Sequence, residues 1–158
     1  MWTPDTRLAR HFTVRELDPE GAADGKHRDR LRELAGVLEI IRERTARPVI
    51  VTPSGGYQPP AEQQSRPWPP RKPTSQHRQA RAADIVVRGM SSVDVANLVI
   101  ALCRGGVLDA VGGVGCYRGF VHVDTRPRRA RQTLGYQLAM WAGDGIDLDR
   151  SAPRFSLG

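Results

Sequence analysis

No stretch of the 158 residues approaches the roughly 20 consecutive apolar residues of a membrane-spanning helix, which excludes an integral helical membrane protein. Cysteine is scarce. Cys103 and Cys116 stand at no metal-ligand spacing, so neither a disulfide framework nor a cysteine-built zinc site is expected, and both are read as reduced thiols. The motif His-Glu-x-x-His is missing, and with it the commonest helix-borne zinc protease site. Asp144, Asp147 and Asp149 are spaced like loop carboxylates, but the EF-hand pattern is missing, so calcium is rejected. The opening Met1-Trp-Thr-Pro-Asp-Thr-Arg7 has no apolar core, so no secretory signal is expected, and synthesis in the cytoplasm follows. Acidic residues are also short: 17 Asp and Glu face 24 Lys and Arg, for a net charge of +7. Such a balance favours anionic partners, among them wall polymers, nucleic acid and acidic membrane surfaces. No nucleic-acid-binding motif accompanies the charge, so nucleic acid is the weakest of these partners.

Hydrophobic residues make up 39% and charged residues 26%, the proportions of a soluble globular chain long enough for one good core. Phe12 to Leu17 reads as a short anchoring segment in an otherwise irregular lead-in, where His11 and His27 are read as solvated surface. Leu31, Leu34, Leu38 and Ile41 recur at helical spacing and predict a helix over 28–46, stopped by Pro48. Pro48-Val-Ile-Val-Thr52 predicts a buried strand. Pro53 to Thr74 is a long loop with seven prolines and with Trp68 between two of them. Ala82 to Val87 predicts another strand. Ser91 and Asp94 make a helix start, and Val95, Leu98, Val99 and Leu102 its core stripe, ended by Gly105 and Gly106. Val107 to Tyr117 and Phe120 to Asp124 read as paired strands. The class is α+β, a single domain with a small, mostly antiparallel sheet flanked by helices.

Two of the four histidines sit in short segments with chemistry around them. His77 precedes the apolar run Ala82-Ala-Asp84-Ile-Val-Val87, and His122 lies within Phe120-Val-His-Val-Asp124. A lone carboxylate such as Asp84 inside an apolar strand is costly to bury unpaired. Zinc takes imidazole nitrogen and carboxylate oxygen, and a catalytic zinc keeps three protein ligands and an open position. His77, Asp84 and His122 are such a set. The same residues also fit an exposed loop histidine, a capping aspartate and a satisfied core histidine. On a strand, residues i and i+2 share a face, so Asp124 stands beside His122 as either a general base or the group that orients its ring.

Ser75-x-His77-x-x-Ala80-x-Ala82-x-Asp84 resembles the motif Ser-x-His-x-x-Gly-x-Ala-x-Asp of the zinc D-alanyl-D-alanine carboxypeptidase family, which includes phage endolysins and shares its fold with the hedgehog signalling domain. Phe120-Val-His122-Val-Asp124 resembles its closing motif, and Gly112-Gly-Val-Gly-Cys-Tyr117 the glycine-rich approach to it. His11-Phe-Thr-Val-Arg-Glu16-Leu and Val49-Ile-Val-Thr resemble its opening and central strand. The resemblance covers roughly residues 8 to 131. It implies a zinc peptidase domain over 1–131 and leaves 132–158 as a C-terminal extension in which Tyr136, Leu138, Met140 and Trp141 make a short docking element. It also implies zinc on His77, Asp84 and His122; the catalytic base expected beside them, from strand geometry, is Asp124. Tyr57, Gln58, Ser75 and Trp68 are the expected substrate-binding residues, and Trp68 has the alternative of pinning its loop to the domain.

Peptide bonds in the stem peptides of bacterial peptidoglycan are the implied substrate. The enzyme would act at the cell wall after release, or as part of a phage particle with tail partners. Three positions depart from the family. Ala80 replaces a glycine. Gly119 stands where many relatives carry an acid. Gln58 stands where the family commonly has an arginine, so Arg66, Arg71, Arg78 or Arg81 moves in, or substrate preference or activity differs. The alternative function is a virion, tail or wall-binding protein that keeps the fold with weak or no catalysis.

Overall fold

The computed structural model describes residues 1–131 and 135–158, with backbone alone for 129–131 and 135–137. Strands β1 (Arg7–Ala9) and β2 (Phe12–Thr13) form a small antiparallel pair that leads into one helical turn, α1 (Val14–Leu17). Thr13 donates its backbone N–H to the Glu16 carboxylate at 2.8 Å, which closes the start of that turn. Phe12, Val14 and Leu17 are buried, so the lead-in is anchored as its apolar residues require. Helix α2 (Gly25–Thr45) begins three residues before the predicted start at Arg28. Its stripe of Leu31, Leu34, Leu38 and Ile41 is fully buried, the face that a 3.6-residue period sets toward a core.

After β3 (Val49–Val51), the long loop holds a single 3-10 turn, Ala61–Gln63. It is followed by β4 (Ala82–Val87), α3 (Ser92–Arg104), β5 (Gly113–Cys116) and β6 (Val121–Asp124). The Ser91 hydroxyl accepts the Asp94 backbone N–H at 3.1 Å, the cap read from the sequence. The buried face of α3 is Val95, Ala96, Val99, Ile100 and Cys103, while Leu98 and Leu102 are half-buried. The predicted stripe was therefore rotated by about one residue, because α3 packs against β5 on one side and a C-terminal strand on the other.

That strand belongs to the remaining elements, β7 (Arg129–Arg131), β8 (Gly135–Gln137), β9 (Ala139–Ala142), β10 (Ile146–Asp149) and β11 (Arg154–Leu157). The central sheet runs β3-β4-β6-β5-β9. Every pair in it is antiparallel except β5 with β9. β7 with β8 and β10 with β11 form separate antiparallel hairpins.

The segment beyond residue 131, expected as a C-terminal extension, contributes a strand to the central sheet. β9 covers the edge of β5, which would otherwise present unpaired backbone groups. Asn97 on α3 holds Phe155 by two reciprocal hydrogen bonds, at 2.6 and 3.0 Å, and Ile146 and Phe155 enter the core. Of the expected docking element, Leu138 and Met140 do pack on the core, whereas the side chain of Tyr136 lies outside the described residues. So do those of Arg129 and Arg131. Among the described residues, no helix is long and apolar enough to cross a membrane. Cys103 and Cys116 are free and buried. Burial pushes the Cys103 thiol up to about 11, which keeps it protonated and inert.

Helix α2 ends on Ala46 in the left-handed conformation, at φ 51. An L side chain there costs roughly 1–2 kcal/mol. Ala46 is exposed, so its methyl group contributes no burial in return. Replacing it by glycine is expected to raise stability by about 0.5–1 kcal/mol, the relief less the added freedom of the unfolded chain. A shifted urea midpoint at unchanged slope checks this, and an unchanged or lower midpoint contradicts it.

Candidate metal centre

Strand pairing builds the site. In the β4–β6 ladder Asp84 lies directly opposite His122, and Ala82 lies opposite Asp124. Period-2 alternation puts Asp84, His122 and Asp124 on one face while Ile85, Val121 and Val123 are buried in the core. His77 arrives from the turn before β4. The Ser75 carbonyl accepts the N–H groups of Arg78 and Gln79, at 3.0 and 3.1 Å, and so winds that turn. Ala80 ends it at φ 58, a conformation that glycine reaches without strain, which is the physical sense of the glycine in the motif it resembles.

The three side chains converge. His77 Nε2 and His122 Nδ1 stand 3.2 and 3.1 Å from the same oxygen, Oδ1 of Asp84. Their other ring nitrogens are already committed. His77 Nδ1 is 3.1 Å from the Gly56 carbonyl, which can only accept, so Nδ1 carries the proton. His122 Nε2 donates to Asp124 Oδ2 at 2.8 Å. In neutral rings so held, two imidazole lone pairs and a carboxylate oxygen face one another, an arrangement that calls for a cation between them. The separations approach the edge of about 3.3 Å of a tetrahedron with zinc-ligand bonds of ~2.0–2.1 Å. Residues and metal therefore fit, and His77, Asp84 and His122 could hold one ion.

At His77 and Asp84 the electrostatics agree with that arrangement, and at His122 they favour the charged ring. Burial pushes the His77 pKa down, against the pull of Asp84, which favours the neutral ring that ligates. Burial also opposes charge on Asp84, but hydrogen bonds and charge from His122 and His77 outweigh it and hold the carboxyl well below its usual range. His122 is lowered by burial yet raised overall by Asp124 and Asp84.

Asp124 is placed differently from the expected base. It is 0% exposed and does not reach the cleft. Oδ2 takes the His122 ring N–H and a 2.5 Å bond from Arg126 Nη2, and Oδ1 takes Arg126 Nε at 2.8 Å. Burial alone would raise this carboxyl, but the hydrogen bonds from His122 and Arg126 hold it at about 2. A carboxylate so engaged is a weak base, and what it does is fix the tautomer and angle of His122. Space for the Asp124–Arg126 pair comes from Gly113, where a Cβ would lie 2.5 Å from an Asp124 oxygen.

The expected substrate-binding residues divide. Ser75 lines an open cleft of about 440 Å³ above the three ligands. Tyr57, Gln58 and Trp68 do not line it. Tyr57 is 2% exposed and stacks against His27, with ring centroids 5.2 Å apart. Gln58 is 4% exposed, and its amide nitrogen donates to the Pro69 carbonyl at 3.2 Å. Trp68 donates to Glu20 at 3.1 Å and lies under the Arg66 guanidinium, so it pins the proline-rich loop.

Of the four arginines open to replace the missing one, Arg71 reaches the site. It lines the cleft, and its Nη2 contacts Asp84 Oδ2 at 3.4 Å and the Ser54 carbonyl at 3.1 Å, while Nη1 is buried with no hydrogen-bond partner.

Trp141 was not read as part of the site. It lies on β9, its ring centroid is 5.0 Å from that of His122, and its Nε1 donates to the Tyr117 hydroxyl at 2.8 Å. Gly115, opposite His122 in the β5–β6 ladder, makes room for it, since a Cβ there would collide with the indole. The third glycine of Gly112-Gly-Val-Gly was the available signal, but only the parallel β5–β9 pairing says what fills its space.

No curated protein and no solved structure matches the chain. Residues 9–124, more than half of the chain, match the family described as peptidase M15, and the site stands within that span except for Arg126 and Trp141. With its two histidines and one aspartate brought to one point, as the motifs implied, the chain belongs to the peptidase M15 family of zinc D-Ala-D-Ala carboxypeptidase type.

Proposed function

We propose that the chain is a zinc-dependent peptidase that hydrolyses stem peptides of bacterial peptidoglycan, as a carboxypeptidase or an endopeptidase. One observation carries this reading. His77 and His122 turn one nitrogen each toward Asp84 at the floor of an open cleft, with their other nitrogens already held by Gly56 and Asp124. Bound there, zinc supplies Lewis acidity and makes water nucleophilic near neutral pH. The rest falls to the chain's own residues. Asp124 and Arg126 lock the His122 ring. Trp141 packs beside that ring. Arg71 brings a guanidinium to the wall of the cleft, suited to a peptide carboxylate or to charge developing on a carbonyl oxygen, a role that Gln58 is turned away from. Action at the cell wall, after release or on a phage particle, belongs to this reading, and the net charge of +7 suits anionic wall polymers.

A second reading also has an observation behind it. Asp84 is the one carboxylate among the residues lining the cleft, so no free acid stands ready to accept a proton. A virion, tail or wall-binding protein that keeps the metal with little turnover fits that lining.

Two measurements separate the readings. Elemental analysis of protein purified without added zinc is expected to give about one zinc per chain, lost in His122→Ala. Zinc with no release of product from stem peptides supports the second reading, and a wild type that takes up no metal overturns both. Replacing Arg71 by Met is expected to lower kcat/KM by about 10²–10³-fold with the zinc content unchanged. Unaltered kinetics in that variant would remove Arg71 from the substrate site.

A further inference from the structure

A second hollow of about 490 Å³ adjoins the cleft. Gln76, Arg126 and Trp141 line both, so the two are compartments of one groove with these side chains as the partition. The far wall comes from residues beyond the family match: Leu138 and Met140 on or beside β9, and Arg150 after β10. Its lining mixes apolar surface with two arginines and contains no acid. Arg126 is neutralised by Asp124. Arg150 is exposed and has no carboxylate partner among the described residues; its Nη2 reaches only the Met140 carbonyl, at 3.3 Å.

We infer that this second compartment takes an acidic residue of the substrate peptide, outside the scissile pair, with its carboxylate on Arg150 and its aliphatic stem along Leu138 and Met140. The inference rests on the peptidase reading for which peptide occupies the first compartment, and it makes the C-terminal strands a specificity element. An acidic peptide fits better than a neutral one because, with Arg126 neutralised by Asp124, the described lining of the groove still sets Arg71, Lys72 and Arg150 against the single acid Asp84. The aliphatic walls suit a carboxylate carried on a side chain rather than a bare inorganic anion.

The test uses synthetic peptides blocked at both ends, with one glutamate, or glutamine in its place, moved along the sequence. Calorimetric Kd values are measured on zinc-loaded wild type, Arg150→Glu, Arg150→Lys and on His122→Ala. At one glutamate position, wild type is expected to bind the acid about three- to fivefold tighter than the amide, as for a solvent-exposed ion pair, with the preference shrinking at high salt. Arg150→Lys should keep the preference and Arg150→Glu should lose or invert it. Arg150 is exposed, so neither change threatens the fold. A wild type blind to the charge, or a preference that survives Arg150→Glu, overturns the inference. His122→Ala keeps the two readings apart. A preference retained there, with metal and turnover lost, supports the compartment whether or not the peptidase reading stands.

Discussion

The register of β6 against β4 is the constraint on which the rest depends. It sets Asp84 beside His122 across a single ladder, and the alternation of the strands sends both to the same face. Slipping that pairing by one residue would turn His122 into the apolar core and bring Val121 or Val123 out. The hydrophobic effect therefore protects the metal centre indirectly. Val121, Val123 and Ile85 hold the register because their burial is lost if it moves. The ligands themselves, ionisable and close together, would not choose this arrangement without that support.

Around this pair, each group is held by something that has no part in the chemistry. Gly56 fixes the proton of His77, and Asp124 fixes that of His122. Asp124 is in turn buried with both of its oxygens hydrogen-bonded by Arg126. The proline-rich loop belongs to the same scheme. Its prolines restrict the chain before any contact forms, Trp68 and Arg66 tie it to Glu20, and Arg71 is thereby carried to Asp84. A cation thirteen positions beyond Gln58 in sequence thus lines the cleft, while Gln58 does not. The C-terminal strands complete the frame: β9 closes the sheet edge and, through Trp141, roofs the histidine that β6 presents.

Much of this was legible in the residues. The stripe of α2, the cap of α3 and the strands at 82–87 and 121–124 followed from local spacing and composition, and the three candidate ligands from motifs that resemble a family's. Motifs whose meaning is local, such as a histidine before an apolar strand with an aspartate inside it, survive the absence of coordinates. The misreadings share another cause. Tyr57, Gln58 and Trp68 were placed in the cleft because they neighbour it in sequence, but each is drawn elsewhere by a partner far along the chain: His27, the Pro69 carbonyl and Glu20. Asp124 was placed on the right face. What spacing omits is that Arg126, two residues on, folds back and occupies it.

By itself, the sequence determined the order of the elements and the α+β class, since these rest on periods of 3.6 and 2, and it pointed to the candidate ligands through motifs that resemble a family's. Only the tertiary structure decided that Arg71 comes to line the cleft, that Asp124 faces His122 and Arg126 rather than the cleft, and that residues 139–157 join the sheet and the core. Those outcomes depend on which distant groups meet, and a meeting across tens of residues is set by the packing of the whole chain, which no local pattern encodes.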